Sequence, residues 1–300
     1  MIEDKLHKNK LTYFAAKHAN SCQKCDETSK KIVKETHKSQ VYDVKNKTFI
    51  NFALVREKEI NIVIARLIKE KLSSTPAGIV LTTRDFGVEM RYQPALAKAL
   101  NRLVLQGELQ KIAKGKYYIP KKTIFGNLKP ADSELVKDFL EQNGKIVGYI
   151  TGTTAFAAMG LTTQISSSVL VGTNKYRRPI TRNGVKISFL LQENAITSSN
   201  IPLLRILDAL RLIKDIPATS PDECVANIYK AINALSKKQK QELAELSLAY
   251  TPYVRALLGA IYENMELETE TVSKTLNGVT SYKLPISDKV LANKRNWNII

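Results

Sequence analysis

Histidine is nearly absent from this chain. Its three copies, His7, His18 and His37, all fall in the first 37 residues. Everything after them therefore has no histidine for acid–base or metal chemistry. Cysteine is equally scarce, three in 300 residues, too few for a disulfide framework and in keeping with a reduced cytoplasmic setting. No apolar run approaches the ~18–20 residues of a membrane span, and the opening MIEDKLHKNK lacks the apolar core of a signal peptide. The expected location is the cytoplasm, with no membrane partner. Neither a G-x-x-x-x-G-K-[ST] phosphate loop nor a G-x-G-x-x-G fingerprint occurs. Hydroxyl-rich stretches at Thr162–Thr163 and Thr197–Ser199 have no partner base, and the acids Glu263, Glu266, Glu268 and Glu270 read as solvated. No enzyme, catalytic residue or cofactor is expected.

Negative charge is also in short supply. The net charge is +18, and residues 1–130 hold 26 Lys+Arg against 12 Asp+Glu, whereas residues 131–300 hold 20 against 16. The basic excess thus travels with the N-terminal half, as it would in a protein that meets a polyanion. With 44% hydrophobic residues in 300, the chain has ample material for two domains with real cores.

The most informative stretch is Gln93–Lys122, QPALAKALNRLVLQGELQKIAKGKYYIPKK. Pro94 suits the start of a helix, where its missing N–H costs nothing. Leu96, Leu100, Leu103 and Val104 recur at helical spacing and predict a core face. Lys98, Asn101 and Arg102 lie away from that stripe, with Arg91, Tyr92 and Gln93 at the helix entrance. Gly107 is a left-handed stop. Leu109–Ile112 and Lys116–Ile119 then read as a hairpin turning at Gly115 and crowded with Lys111, Lys114, Lys116, Lys121 and Lys122. The blander reading is a surface hairpin solvated by its lysines.

Two upstream segments complete a module. Glu59–Leu72 is helical, apolar on a broad face. Val80 and Leu81 are expected to pair with the hairpin. Thr82 or Thr83 then caps a short helix through Arg84, Asp85 and Phe86, ended by Gly87. Helix, strand, short helix, longer helix and hairpin is the order of a winged helix-turn-helix, whose second helix enters the major groove while the hairpin (the wing) reaches the backbone. The expected DNA contacts are Arg84, Arg91, Tyr92, Gln93, Lys98, Asn101 and Arg102, with Lys111, Lys114, Lys116 and Tyr118 on the wing. Arg and Asn suit bidentate contacts to guanine and adenine edges.

Residues 1–57 read as a basic, partly disordered or loosely helical extension. It holds the ligand types of a zinc site, His18, Cys22, Cys25 and His37, but the spacings fit no finger pattern, and the four are read as ordinary residues. The winged helix is assigned to 58–124 and the remainder to 125–300. In that second half Phe125–Pro130 reads as a linker and Ala131–Gln142 as a helix. Thr153 or Thr154 caps a short helix stopped at Gly160, and Ser168–Gly172 is a buried strand. Pro179–Thr181 and Val185–Leu190 form a hairpin through Asn183-Gly184, a pair that favours a type I′ turn. Helices follow at Ile201–Ile216, Pro221–Leu235, Ser236–Ala249 and Thr251–Met265. The whole is an α+β chain, an N-terminal winged helix plus a C-terminal mixed α/β domain ending in a helical bundle.

Five segments in order carry a family resemblance: ALNRLVLQGELQKIAKGKYYIPKK at Ala99–Lys122, FGNLKP at Phe125–Pro130, TGTTAFAAMGLTTQI at Thr151–Ile165, YVRALLGAIYE at Tyr253–Glu263 and KTLNGVTSYKLPI at Lys274–Ile286. On these the chain resembles the AbiEi-like antitoxins of type IV, abortive-infection toxin–antitoxin systems. The resemblance implies a winged helix that binds repeats in its own promoter. It also implies a C-terminal antitoxin domain that counteracts a nucleotidyltransferase-like toxin, with or without direct contact. It supplies no catalytic residue, and it does not extend to the lysine-rich segment before about residue 58. The turn Gly160–Gln164 best matches the antitoxin half, although a helix stop explains it as well. The alternative is a winged helix used as a protein-interaction module, or a general transcription regulator with no toxin partner, because fold alone does not fix function.

Overall fold

The computed structural model describes the backbone of residues 40–43, 48–124 and 126–300, and side chains from Glu59 onward within that set. Strands β1 (Gln40–Asp43) and β2 (Thr48–Asn51) pair antiparallel, Gln40 opposite Asn51. Helix α1 (Phe52–Ser73) follows directly. It starts at Phe52 rather than at the expected Glu59. Of the extension expected over 1–57, residues 1–39 and 44–47 lie outside the described residues. The rest forms β1, β2 and the first turns of α1.

The chain divides into two compact units, one taking the chain up to Lys71 with Val88–Ala99, the other Leu72–Gly87 with Leu100–Ile300. In the first, Ile64 and Ile68 are buried one turn apart on α1, the i, i+4 stripe of an amphipathic helix. A 3-10 turn at Met90–Tyr92 leads into helix α2 (Gln93–Leu105). Gln93 fastens that start, its Nε2 donating to the Val88 carbonyl at 2.7 Å.

The second unit begins with β3 (Val80–Thr82). The Asp85 carboxylate accepts from the Thr82 N–H at 2.6 Å and from its hydroxyl at 2.9 Å, shaping the one-turn 3-10 helix Thr83–Phe86. The end of α2 is closed by the Gly107 N–H donating to Val104 and the Glu108 N–H to Leu103, with Gly107 at φ 75°. That is a Schellman stop, and only glycine enters it without strain. β4 (Gln110–Ala113) and β5 (Lys116–Tyr118) follow and join β3 in an antiparallel sheet of order β3-β5-β4. Where a linker was expected, β6 (Lys121–Thr123) and β7 (Gly126–Leu128) pair as a second hairpin.

Helix α3 (Asp132–Leu140) is shorter than expected. Glu141–Gln142 (β8) leaves it to pair with Lys145–Ile146 (β9) around Asn143 and Gly144, at φ 51° and 73°. β10 (Gly148–Thr151), β11 (Ser168–Thr173), β12 (Ile180–Arg182) and β13 (Val185–Leu191) form a four-stranded sheet of order β10-β11-β13-β12, with β11 and β13 parallel. The β12–β13 turn has Asn183 and Gly184 at φ 48° and 75°, as the Asn-Gly pair predicted. Helix α4 (Thr153–Ala158) is preceded by Gly152 at φ 67°, not by a threonine cap.

Strand alternation gives this sheet two faces. On one, Val169, Val171 and Ile187 pack with Leu135, Val136 and Phe139 of α3, and Ile112 and Tyr118 of the β4–β5 hairpin enter the same cluster. On the other, the Tyr149 ring fills the space a side chain at Gly172 would need. Tyr149 belongs to the large core of the helical end, built from α5 (Ile201–Arg211), α6 (Pro221–Asn233), α7 (Lys237–Ser247), α8 (Pro252–Asn264) and α9 (Glu270–Ser273). Each Leu, Ile or Val buried here contributes about 1.5–3 kcal/mol. α5 stops at Arg211 rather than Ile216, and Ser236 caps α7 as expected. The described residues thus form a mixed α+β fold of nine α-helices and small sheets.

Candidate nucleic-acid interface

Helix α2 buries Leu96 and Leu100 completely. Its opposite side carries Lys98, Asn101, Arg102 and Leu105, all exposed, at the i, i+3, i+4, i+7 spacing of a single helix face. Among the described residues neither Lys98 nor Arg102 forms an ion pair. The Asn101 Oδ1 accepts a long bond, 3.4 Å, from the Tyr117 hydroxyl of β5. That contact steadies the carboxamide yet is weak enough to be exchanged for a ligand.

The helix entrance is more self-contained. Arg91 pairs with Glu89 at 2.8 Å, and its guanidinium lies 4.7 Å from the Tyr92 ring centroid. Gln93 spends its amide on Val88, and Arg84 is exposed on the 3-10 turn.

The hairpin divides its expected contacts. Lys111 and Lys114 are exposed and, among the described residues, unpaired. Lys116 and Tyr118 are not available. The Tyr118 side chain sits in the core at 1% exposure, donating to Gln110 at 2.7 Å and accepting from Asn183 at 3.3 Å. It leaves the set of surface contacts, because period-2 alternation turns it inward with Ile112. The Lys116 ammonium pairs with Asp138 of α3. Asp138 also takes a two-pronged contact from Arg182, at 2.5 and 3.0 Å, and Arg182 donates to the Leu135 carbonyl at 2.7 Å. Burial pushes the Asp138 carboxyl up, and the bonds from Arg182 and Lys116 more than offset it, holding it below the ordinary carboxylate range. Burial lowers the Lys116 ammonium against the pull of Asp138.

Three cations ring Phe139: Arg182 at 4.3 Å, Arg177 at 5.1 Å and Lys116 at 5.9 Å from its centroid. Sequence reasoning missed this cluster, although the run Lys175-Tyr176-Arg177-Arg178 was there to be seen. It also missed a buried polar network in the helical end. The Asp208 carboxylate, fully buried, accepts from Tyr149 and Thr151 at 2.8 Å and from Tyr250 at 2.9 Å, and Gln192 donates to both tyrosine hydroxyls. Every partner is satisfied, which marks it as a specifying core network.

Glu263, expected to be merely solvated, accepts from Trp297, Asn293 and Asn296. The suggested zinc ligands His18, Cys22, Cys25 and His37 lie outside the described residues. Among the described residues no group of three His, Cys, Asp or Glu is arranged to hold a metal, and no helix is long and apolar enough to cross a membrane.

Fold and surface together define an α+β protein with a basic helix face running into a lysine-tipped hairpin. Residues 67–243 match DUF6088, a family of unknown function, and the chain belongs to that family. No curated protein matches it. Among solved structures it is similar to the RV2827C protein from Mycobacterium tuberculosis, at 14% identity over 74% of this chain and 83% of that one, with a TM-score of 0.42.

Proposed function

We propose that the chain is a winged helix-turn-helix protein that binds its own promoter DNA as an autorepressor. α2 is the groove-reading helix, and the β4–β5 hairpin is the wing. One observation carries this reading: Lys98, Asn101 and Arg102 stand on one exposed face of α2, with no ion pair formed by Lys98 or Arg102 among the described residues, and the helix runs straight into a hairpin tipped by Lys111 and Lys114. Guanidinium and carboxamide groups match guanine and adenine edges, and the wing lysines supply phosphate contacts that fix register. The antitoxin role, counteracting a nucleotidyltransferase-like toxin through the C-terminal part, rests on the sequence resemblance. Co-expression with such a toxin tests it separately.

The direct test is an anisotropy titration against the chain's own upstream duplex and a scrambled duplex. With 6–10 phosphates neutralised, affinity falls by about 10³–10⁵ between 50 and 200 mM salt, and the upstream duplex binds more tightly. A flat salt response sinks the reading. A second reading, a protein dock, draws on Leu105, 88% exposed on the same face as Arg102. A pull-down that survives nuclease, from protein that carries no DNA, would favour it.

A further inference from the structure

The loop between β11 and β12, Asn174–Pro179, lies outside the winged-helix elements, and its construction points to a ligand. It is held at two points. The Asn174 amide donates to the Gln192 and Asn194 carbonyls at 2.6 and 2.7 Å. Arg177 lies on the Phe139 ring, the same ring that faces Lys116 of the wing strand β5. The loop is thereby placed beside the turn end of the wing hairpin, where Lys116 begins β5. Arg177 carries a buried Nε without a hydrogen-bond partner, so seating it there costs desolvation. Among the described residues the only carboxylate bonded in this cluster, Asp138, is already committed to Lys116 and Arg182. What this anchoring presents to solvent is Tyr176, 80% exposed, between exposed Lys175 and Arg178.

We propose that Lys175, Tyr176 and Arg178 form a second phosphate-contacting element that extends the duplex footprint beyond the wing. This rests on the DNA-binding reading above. A tyrosine hydroxyl and two cations on a rigid loop are donors suited to backbone oxygens, and the cluster behind them is net positive, which favours a polyanion over a neutral surface.

The test compares the full chain with the Lys175→Ala/Arg178→Ala double variant on the upstream and scrambled duplexes across 50–200 mM salt. A Lys237→Ala/Lys238→Ala variant removes the same charge from the exposed first turn of α7 as a control. Losing two phosphate contacts lowers the salt slope by about 1.8, so the wild type loses about 12-fold more affinity than the variant over that range. The upstream-to-scrambled ratio stays unchanged, because phosphates carry no sequence. Tyr176→Ala weakens both duplexes alike. These residues are exposed, and unchanged thermal melting verifies the fold. If the wild type binds with a steep slope and the loop variant keeps that slope, or the α7 control loses as much, the second element is refuted and the groove-reading helix stands. If the wild type has no duplex affinity, both readings fall.

Discussion

Asp208 is the residue whose chemistry is most constrained. Burial pushes its carboxyl above the ordinary range, and the hydroxyls of Thr151, Tyr149 and Tyr250 only partly pull it back. A folded-state carboxyl raised in this way binds its proton more tightly than the unfolded chain does. Its contribution is therefore fully present below the ordinary carboxylate pKa of about 3.9 and is lost as pH rises through the raised value. Urea unfolding across that interval should show wild-type stability falling relative to Asp208→Asn, whose curve lacks this component. The asparagine still costs about 1–3 kcal/mol at the acid end, since an amide cannot accept from all three hydroxyls. Parallel curves would show that Asp208 does not titrate in this window. None of this was legible in the sequence, because Thr151, Gln192, Asp208 and Tyr250 meet only through the packing of a sheet on a helical core.

At the scale of elements, what local chemistry dictates was readable and what distant partners dictate was not. The α2 stripe and its Gly107 stop, the Gly115 turn and the Asn183-Gly184 hairpin all follow from residues within a few positions of one another. So does the β8–β9 hairpin, whose Asn143-Gly144 pair carries the same signal, although the expected helix runs on to Gln142. Lys116 looked like a free wing lysine because its partner Asp138 lies on a different element, and Tyr118 looked exposed because the inward face of β5 is set by α3. The C-terminal turn shows the same dependence. Gly259 of α8 leaves room for the Trp297 ring, and one helical turn on, Glu263 accepts from its Nε1 at 2.7 Å. A methyl at Gly259 must displace that ring, at about 1–3 kcal/mol. Gly259→Ala should lower the melting temperature and red-shift emission from Trp297, the chain's single tryptophan. Unchanged emission would contradict this packing.

For the whole molecule, the basic hairpin is not an appendage on an independent C-terminal half. Ile112 and Tyr118 share a core with α3 and the four-stranded sheet. Glu134 accepts from the Val80 N–H of the edge strand at 2.9 Å, and Asp138 ties in Lys116. A chain ending at Ile124 bares that core face, so it should lack the cooperative unfolding of the full protein. A sharp, native-like melt from the fragment would show that the hairpin does not need α3. Under the proposed function this coupling gives the wing a rigid support, and the exposed face of α2 is left to discriminate sequence. The most direct test of that division is a pair of double variants titrated on upstream and scrambled duplexes. Lys98→Ala/Arg102→Ala should lose about 1–3 kcal/mol per base contact on the upstream duplex and collapse the preference over scrambled DNA. Lys111→Ala/Lys114→Ala should weaken both duplexes equally and lower the salt slope by about 1.8. Undiminished preference for the upstream duplex after Lys98 and Arg102 are removed would contradict the assignment of α2 as the reading helix.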